Sequence, residues 1–195
     1  MSRIVHTSRS LALLAGLVMF AGVAVAPAMA ATITYNFGGT VNFVGNNLTP
    51  PSPPPFNTNT LKSMTGTMTV NTSPDGTAGG LIGTYTIQTF DLHIGNYNAT
   101  FGPGGGIVTI RNGTGGGLGA DRFLVTADVD GLDAGNRAPG SFTINLRGLN
   151  NIFSSDALPN SAPSVGSFIT NGFRLQFGNG NGANRAVIGS IDTLT

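Results

Sequence analysis

Apolar and polar residues alternate in short stretches rich in Thr, Val, Ile and Phe, and clusters of Gly, Asn and Asp separate the stretches. A period of two is the signature of half-buried β-strands. Ile33, Tyr35 and Phe37 share one phase, which Val41 and Phe43 continue. Met64, Met68 and Val70 form a second row, in which Gly66 leaves a gap that a neighbour can approach closely. Phe123, Val125, Ala127 and Val129 make the cleanest face; Phe142, Ile144 and Leu146 follow, then Phe173, Leu175 and Phe177. Tyr85 and Ile87 lie on one phase but Phe90, Leu92 and Ile94 on the other, so a bulge near Thr89 or a sheet-switching bend is expected.

The turn residues give independent support. Gly95-Asn96 and Asn112-Gly113 are two-residue hairpin signals, Ser73-Pro74-Asp75-Gly76 has Pro and Gly placed for a turn, and Gly178 to Gly182 separates the last two apolar rows. The glycine runs 104–106 and 115–117 read as loose hairpin connections. No Lys-Ser/Thr follows either run, so neither is a phosphate loop. Together these signals predict an all-β fold, a single-domain antiparallel β-sandwich of jelly-roll type with about nine strands. The strands are placed at 33–44, 64–71, 81–94, 97–101, 106–111, 121–129, 141–147, 172–178 and 185–193. Asn46 to Thr60, with its run of prolines, is expected to be a loop, and Pro159 and Pro163 limit any helix between Asn150 and Thr170 to about one turn.

The first thirty residues break the pattern. Arg3 and Arg9 precede an apolar run from Leu11 to Val25, and Pro27 and Ala28-Met29-Ala30 follow it. These are the three regions of a secretory signal peptide, with cleavage expected after Ala30 and the β-domain at 31–195. Seven basic and eight acidic residues lie beyond Ala30, and no second apolar run of membrane length occurs there. The expected product is a near-neutral secreted protein, extracellular or at the cell surface, without a membrane anchor.

Composition narrows the chemistry further. Only 9% of the residues are charged, which excludes the basic excess of a nucleic-acid binder. There is no cysteine, so disulfides, thiolate metal sites and a cysteine nucleophile are excluded. His93 alone follows the signal segment, in the phase opposite to Leu92 and Ile94, and it reads as an exposed strand residue. Asp128, Asp130 and Asp133 alternate toward a Gly-rich turn, a spacing that offers hard oxygens to calcium; Arg122 and Arg137 are the local cations that would neutralise the same acids without a metal. Pairs drawn from Asp91, Asp121, Asp128, Asp130 and Asp133 are what a glycan hydrolase would need. Trp is absent, leaving Tyr35, Tyr85 and Tyr97 as sugar platforms, of which Tyr35 and Tyr85 share phases with core residues.

Phe153 to Pro159, Ala162 to Val165, Phe168 and the strand Phe173-Arg174-Leu175-Gln176-Phe177 resemble a recurrent phrase in bacterial exported proteins of the PEP-CTERM sorting class. Ile33-Thr34-Tyr35-Asn36-Phe37, Gly39-Thr40-Val41 and Thr65-Gly66-Thr67-Met68 match the opening strands of such proteins. The resemblance implies a secreted β-sandwich of exopolysaccharide-producing Gram-negative bacteria, the setting of biofilm matrices. It supplies no catalytic residues. The Pro-Glu-Pro motif, apolar helix and basic cluster that end those proteins are missing from this sequence, which closes on Ile191-Asp192-Thr193-Leu194-Thr195. The expected function is therefore that of a non-catalytic protein of the cell envelope or extracellular polysaccharide matrix, with a polysaccharide as partner. A glycan-binding module is the first alternative and an Asp-dependent glycan hydrolase the second.

Overall fold

The computed structural model describes residues 31–48, 56, 63–76, 79–114 and 120–195. Residues 1–30, read above as a signal peptide, the Gly115 to Gly117 run and most of the proline-rich loop lie outside the described residues. The described residues form eight strands: β1 (Thr32–Val44), β2 (Met64–Asn71), β3 (Ile82–Ile94), β4 (Tyr97–Arg111), β5 (Asp121–Gly131), β6 (Pro139–Gly148), β7 (Thr170–Phe177) and β8 (Ala186–Leu194). Each pairs antiparallel with the next, and β1 pairs with β8 from Phe37 opposite Leu194 to Val44 opposite Val187. Asn36 and Thr195 exchange backbone hydrogen bonds beyond that ladder. The result is a closed up-and-down barrel rather than the expected sandwich. Alternation cannot separate the two, because both bury every second side chain; strand closure, which leaves no sheet edge, is the difference.

The strand count falls from about nine to eight because 97–101 and 106–111 are one strand, β4. Gly102 to Gly106 form no hairpin: they are an irregularity within β4, across which the pairing with β5 shifts register between Phe101 and Gly106. Likewise Asn112-Gly113 is no two-residue turn; it opens the longer connection to β5. The phase slip in β3 resolves as a bulge, with Gln88 and Thr89 both facing outward and the register shifting beside them. In β1 two register shifts against β8 turn Phe43 out of the expected inward row, leaving it 40% exposed. Gly95-Asn96 closes the β3–β4 hairpin as expected, with Gly95 at a φ of 58°. Between β6 and β7 the helical content is a single 3₁₀ turn, Val165–Ser167.

Eight strands enclose an interior just wide enough for side chains to fill, and here they do. The inward rows of β5, β6 and β7, Phe123, Val125, Val129, Phe142, Ile144, Leu146, Phe173, Leu175 and Phe177, are all buried as their phases require. Phe37, Phe90, Phe142 and Phe173 cross the middle as a chain of ring contacts, with centroids 5.4–5.9 Å apart. Rings of this size fit because glycines face two of them: a Cβ on Gly66 would overlap the Phe37 ring, and one on Gly189 the Phe173 ring and the Thr40 carbonyl. The outer wall carries Thr, Asn and Arg in the complementary phase, including Thr34, Asn36, Thr67 and Asn145. Apolar inside and polar outside is the sidedness of a barrel in water, the reverse of one whose outer band meets lipid.

Both barrel ends are plugged. At the end where β5 begins, the buried Asp121 carboxylate accepts hydrogen bonds from the backbone N–H groups of Gly113 (3.0 Å), Ile152 (2.7 Å) and Phe153 (3.0 Å), which ties two loops over the opening. Tyr85 Oη donates to the Asp156 carbonyl and Tyr35 Oη to that of Pro159, anchoring the same cap from the barrel side. At the other end Phe56, from the proline-rich loop, inserts against Tyr97 and Phe177 with ring centroids 4.8 and 5.5 Å away. Asp121→Ala is expected to strand three amides in an apolar setting and cost about 3 kcal/mol or more of stability. Asp121→Asn should cost less, since its one carbonyl oxygen can still accept. Urea denaturation of the two variants checks the order, and an alanine variant as stable as the parent would refute this role.

Candidate functional site

Among the described residues, two grooves lie on the outer wall. The larger, of about 420 Å³, crosses β5, β6 and β7. Strand register explains its shape, because outward residues of neighbouring strands line up in rows. Arg111, Arg122 and Arg147 stand opposite one another across β4, β5 and β6, and Thr170 continues that row on β7. Two residues further along the strands the row is Leu124, Asn145 and Gly172; two further again it is Thr126, Thr143 and Arg174. The middle row is the floor. Gly172 has no side chain to fill it, so arginines rise on either side of a trough.

Nothing in the backbone obliges residue 172 to be glycine. A Cβ there meets its nearest neighbour, the Gly189 carbonyl oxygen, at 3.6 Å, an ordinary contact, and its φ lies outside the left-handed region. A strand glycine costs roughly 0.5–1 kcal/mol relative to alanine. The row of like charges is unfavourable too, since cations directly opposite each other across a ladder destabilise it. Burial, with Arg147 and then Arg111 beside it, lowers the Arg122 pKa. Among the described residues no carboxylate forms an ion pair with these arginines; the one such pair is His93 with Asp91. Arg122 Nε instead donates to Asn145 Oδ1 at 2.8 Å, and Arg174 donates through Nε and one terminal nitrogen to Gln176 Oε1 at 3.0 and 2.7 Å. These bonds fix the guanidinium planes.

The second groove, of about 300 Å³, runs over β1, β2, β3 and the C-terminal residues, and Asp91 and His93 line it. His93 is half exposed, as its phase required. Its Nε2 lies 3.1 Å from Asp91 Oδ2 and its Nδ1 2.6 Å from Asn98 Oδ1. Both ring nitrogens are therefore engaged, and Thr65, opposite His93 on β2, has no free imidazole nitrogen to serve as its base. The hydrogen bond to Asn98, and after it the neighbouring Asp91, raise the His93 pKa above its ordinary 6.5.

Several of the acids proposed from sequence have separate hydrogen-bonding partners. Asp121 is consumed by the cap. Asp128 Oδ2 accepts from Gly104 N–H at 2.7 Å, and Asp130 Oδ1 from Gly131 N–H at 2.8 Å. Asp128 and Asp130 thus each accept from a backbone amide, and neither Arg122 nor Arg137 forms an ion pair with them among the described residues. No group of three or more His, Cys, Asp or Glu among the described residues is placed to hold a metal ion, Asp128, Asp130 and Asp133 included. Asp91 and Asp130 do share an outward row, on either side of Thr100. Their backbones are two strand spacings apart, about 10 Å, but Asp91 lines the second groove and Asp130 does not. All three tyrosines are buried, Tyr97 included, so none offers a sugar platform. Burial, then Asp130 and Asp133, hold the Tyr97 phenol firmly protonated.

Sequence reasoning missed the arginine rows. Each arginine stands in the outward phase beside an inward row, which the sequence does indicate, but their alignment across strands depends on register, which it does not. No protein-family model, curated protein or solved structure matches the chain.

The His93 contacts give a pH-dependent signal. Because the folded pKa is raised, the stabilisation is complete below 6.5 and is lost as pH rises through the folded value. The stability lost in His93→Ala should thus be small, and larger at pH 5 than at pH 8. By NMR, the imidazole should titrate with a midpoint above 6.5, and Asn98→Ala should lower that midpoint.

Proposed function

We propose that this chain is an exported, non-catalytic protein of the cell envelope or extracellular polysaccharide matrix, and that it works by binding glycan on its outer wall. The observation that carries this reading is the filled and doubly capped barrel: with aromatic rings occupying the lumen, a ligand has the wall grooves to occupy. Export is supported by the signal-peptide pattern of residues 1–30, and the matrix setting by the resemblance to PEP-CTERM-class proteins. A polar wall rich in Thr and Asn hydroxyls and amides suits a partner that is itself dense in hydroxyl groups.

The non-catalytic part of the reading is supported by what the candidate groups already do. Asp121 holds a cap, Asp128 and Asp130 hold backbone amides, and His93 is engaged at both nitrogens. A glycosidase needs two carboxyl groups flanking one sugar bond, one of them held protonated. Asp91 and Asp130, which face outward in one row, do not share a groove.

The mature chain, residues 31–195, is expected to be retarded in gels containing extracellular polysaccharide and to release no reducing ends on prolonged incubation. Release of reducing ends that disappears in Asp91→Asn or Asp130→Asn would overturn the non-catalytic reading. Free migration in every polysaccharide tried would overturn the binding reading.

A further inference from the structure

We propose that the groove across β5, β6 and β7 is a subsite for an acidic, carboxylate-bearing glycan, gripped by Arg122 and Arg147 on one bank and Arg174 on the other, with Thr143, Asn145 and Thr170 meeting its hydroxyls. This assignment rests on the glycan-binding reading above and adds the ligand's charge and its place.

Three independent features point to it. First, positive charge is concentrated: four of the seven basic residues beyond Ala30, Arg111, Arg122, Arg147 and Arg174, stand in the aligned rows of β4 to β7, although the segment as a whole has one more acid than base. Opposed cations without counter-ions weaken a ladder, and an anion seated between them removes that penalty. Second, the groove's floor is open by choice of residue rather than by backbone constraint, since position 172 has room for a side chain and carries none. Third, two of the three guanidinium groups, those of Arg122 and Arg174, are held in place. Arg122 is held through Nε by Asn145, and Arg174 by Gln176 and by the Asn181 carbonyl at 2.6 Å. Arg122, bonded through Nε, presents its terminal N–H groups to a carboxylate's two oxygens, and Arg174, with Nε and one terminal nitrogen engaged, donates through the other; prior fixing lowers the entropy lost on binding.

The same features favour a glycan over other polyanions. The volume suits a short saccharide segment rather than a duplex, which needs phosphate contacts along an extended basic face. No tyrosine is exposed for unpaired bases to stack on. Exposed Leu149 and Ile169 lie near the Arg147 end of the groove, which makes an anionic lipid surface the alternative to exclude.

The test is binding of residues 31–195 to polygalacturonate, with neutral dextran, duplex DNA and phosphatidylglycerol vesicles alongside, at low and high salt. Polygalacturonate should bind, raise the melting temperature and weaken with salt. Arg147→Gln should weaken binding about tenfold or more while leaving the melting temperature of the free chain unchanged or higher. Gly172→Val should abolish binding in a folded barrel, which keeps the test sound should the arginine variant fold poorly. Equal binding of dextran would overturn the acidic assignment while sparing the glycan-binding reading. Stronger, variant-sensitive binding of DNA or vesicles would overturn the glycan assignment. Polygalacturonate binding that neither variant reduces would overturn the placement in this groove. No binding to any probe would overturn both readings.

Discussion

The width of an eight-stranded barrel is set by geometry, and everything else in this protein follows from how that fixed interior is filled. Phenylalanine rings span its middle, and a ring pointing inward from one strand needs a small residue on a neighbour. Gly66 beneath Phe37 and Gly189 beneath Phe173 meet that need. The two glycines lie on β2 and β8, the strands that flank β1, so the aromatic packing and the β1–β8 closure are mutually dependent. Loss of either small residue would push a ring into backbone at the seam. The packing that makes the barrel stable also removes the lumen as a place for ligand and passes any binding task to the wall.

A filled barrel still has two open mouths, and each is closed in a different currency. One is closed electrostatically, by a buried carboxylate that gathers three backbone amides from two loops, with the phenols of Tyr35 and Tyr85 bonded to the same cap. The other is closed by aromatic contact, where Phe56 meets Tyr97 and Phe177. These roles account for several side chains that chemistry alone would nominate as functional. An aspartate with full burial and three donors is committed to holding loops together, and a tyrosine at the bottom of a packed layer cannot face a sugar.

What the sequence disclosed follows from the same geometry. Side-chain phase is a local property, so the inward rows of β5, β6 and β7, the gap at Gly66 and the bulge at Thr89 were all legible from alternation. Register is a property of two strands at once, and here sequence reasoning failed. It could not say that β1 meets β8, and therefore could not choose barrel over sandwich. It could not see the shifts that expel Phe43, nor that Gly102 to Gly106 continue a strand instead of ending one. Asp121 opens a regular strand with nothing to mark it as a cap, because its three donors come from positions 113, 152 and 153. The arginine rows were hidden for the same reason. Arg111, Arg122 and Arg147 are far apart in sequence and become one feature only when three ladders align them.

That alignment is the point at which local stability and the rest of the design part company. Along most of the wall the outward pairs are mild, as where Thr34 and Thr69 share a hydrogen bond across β1 and β2. A chain with so few charges could have placed threonine at 111, 122 and 147 and gained a better ladder. Instead it opposes three cations, leaves glycine in a strand position that tolerates a side chain, and spends the amide of Asn145 on orienting one guanidinium. Each of these choices weakens or constrains the free protein, and all three meet at one trough, lined by Arg122, Arg147, Asn145 and Gly172 with Arg111 on the adjoining strand. Departures from local preference that cluster in space, while the surrounding sheet obeys it, are where a folded chain carries work other than folding.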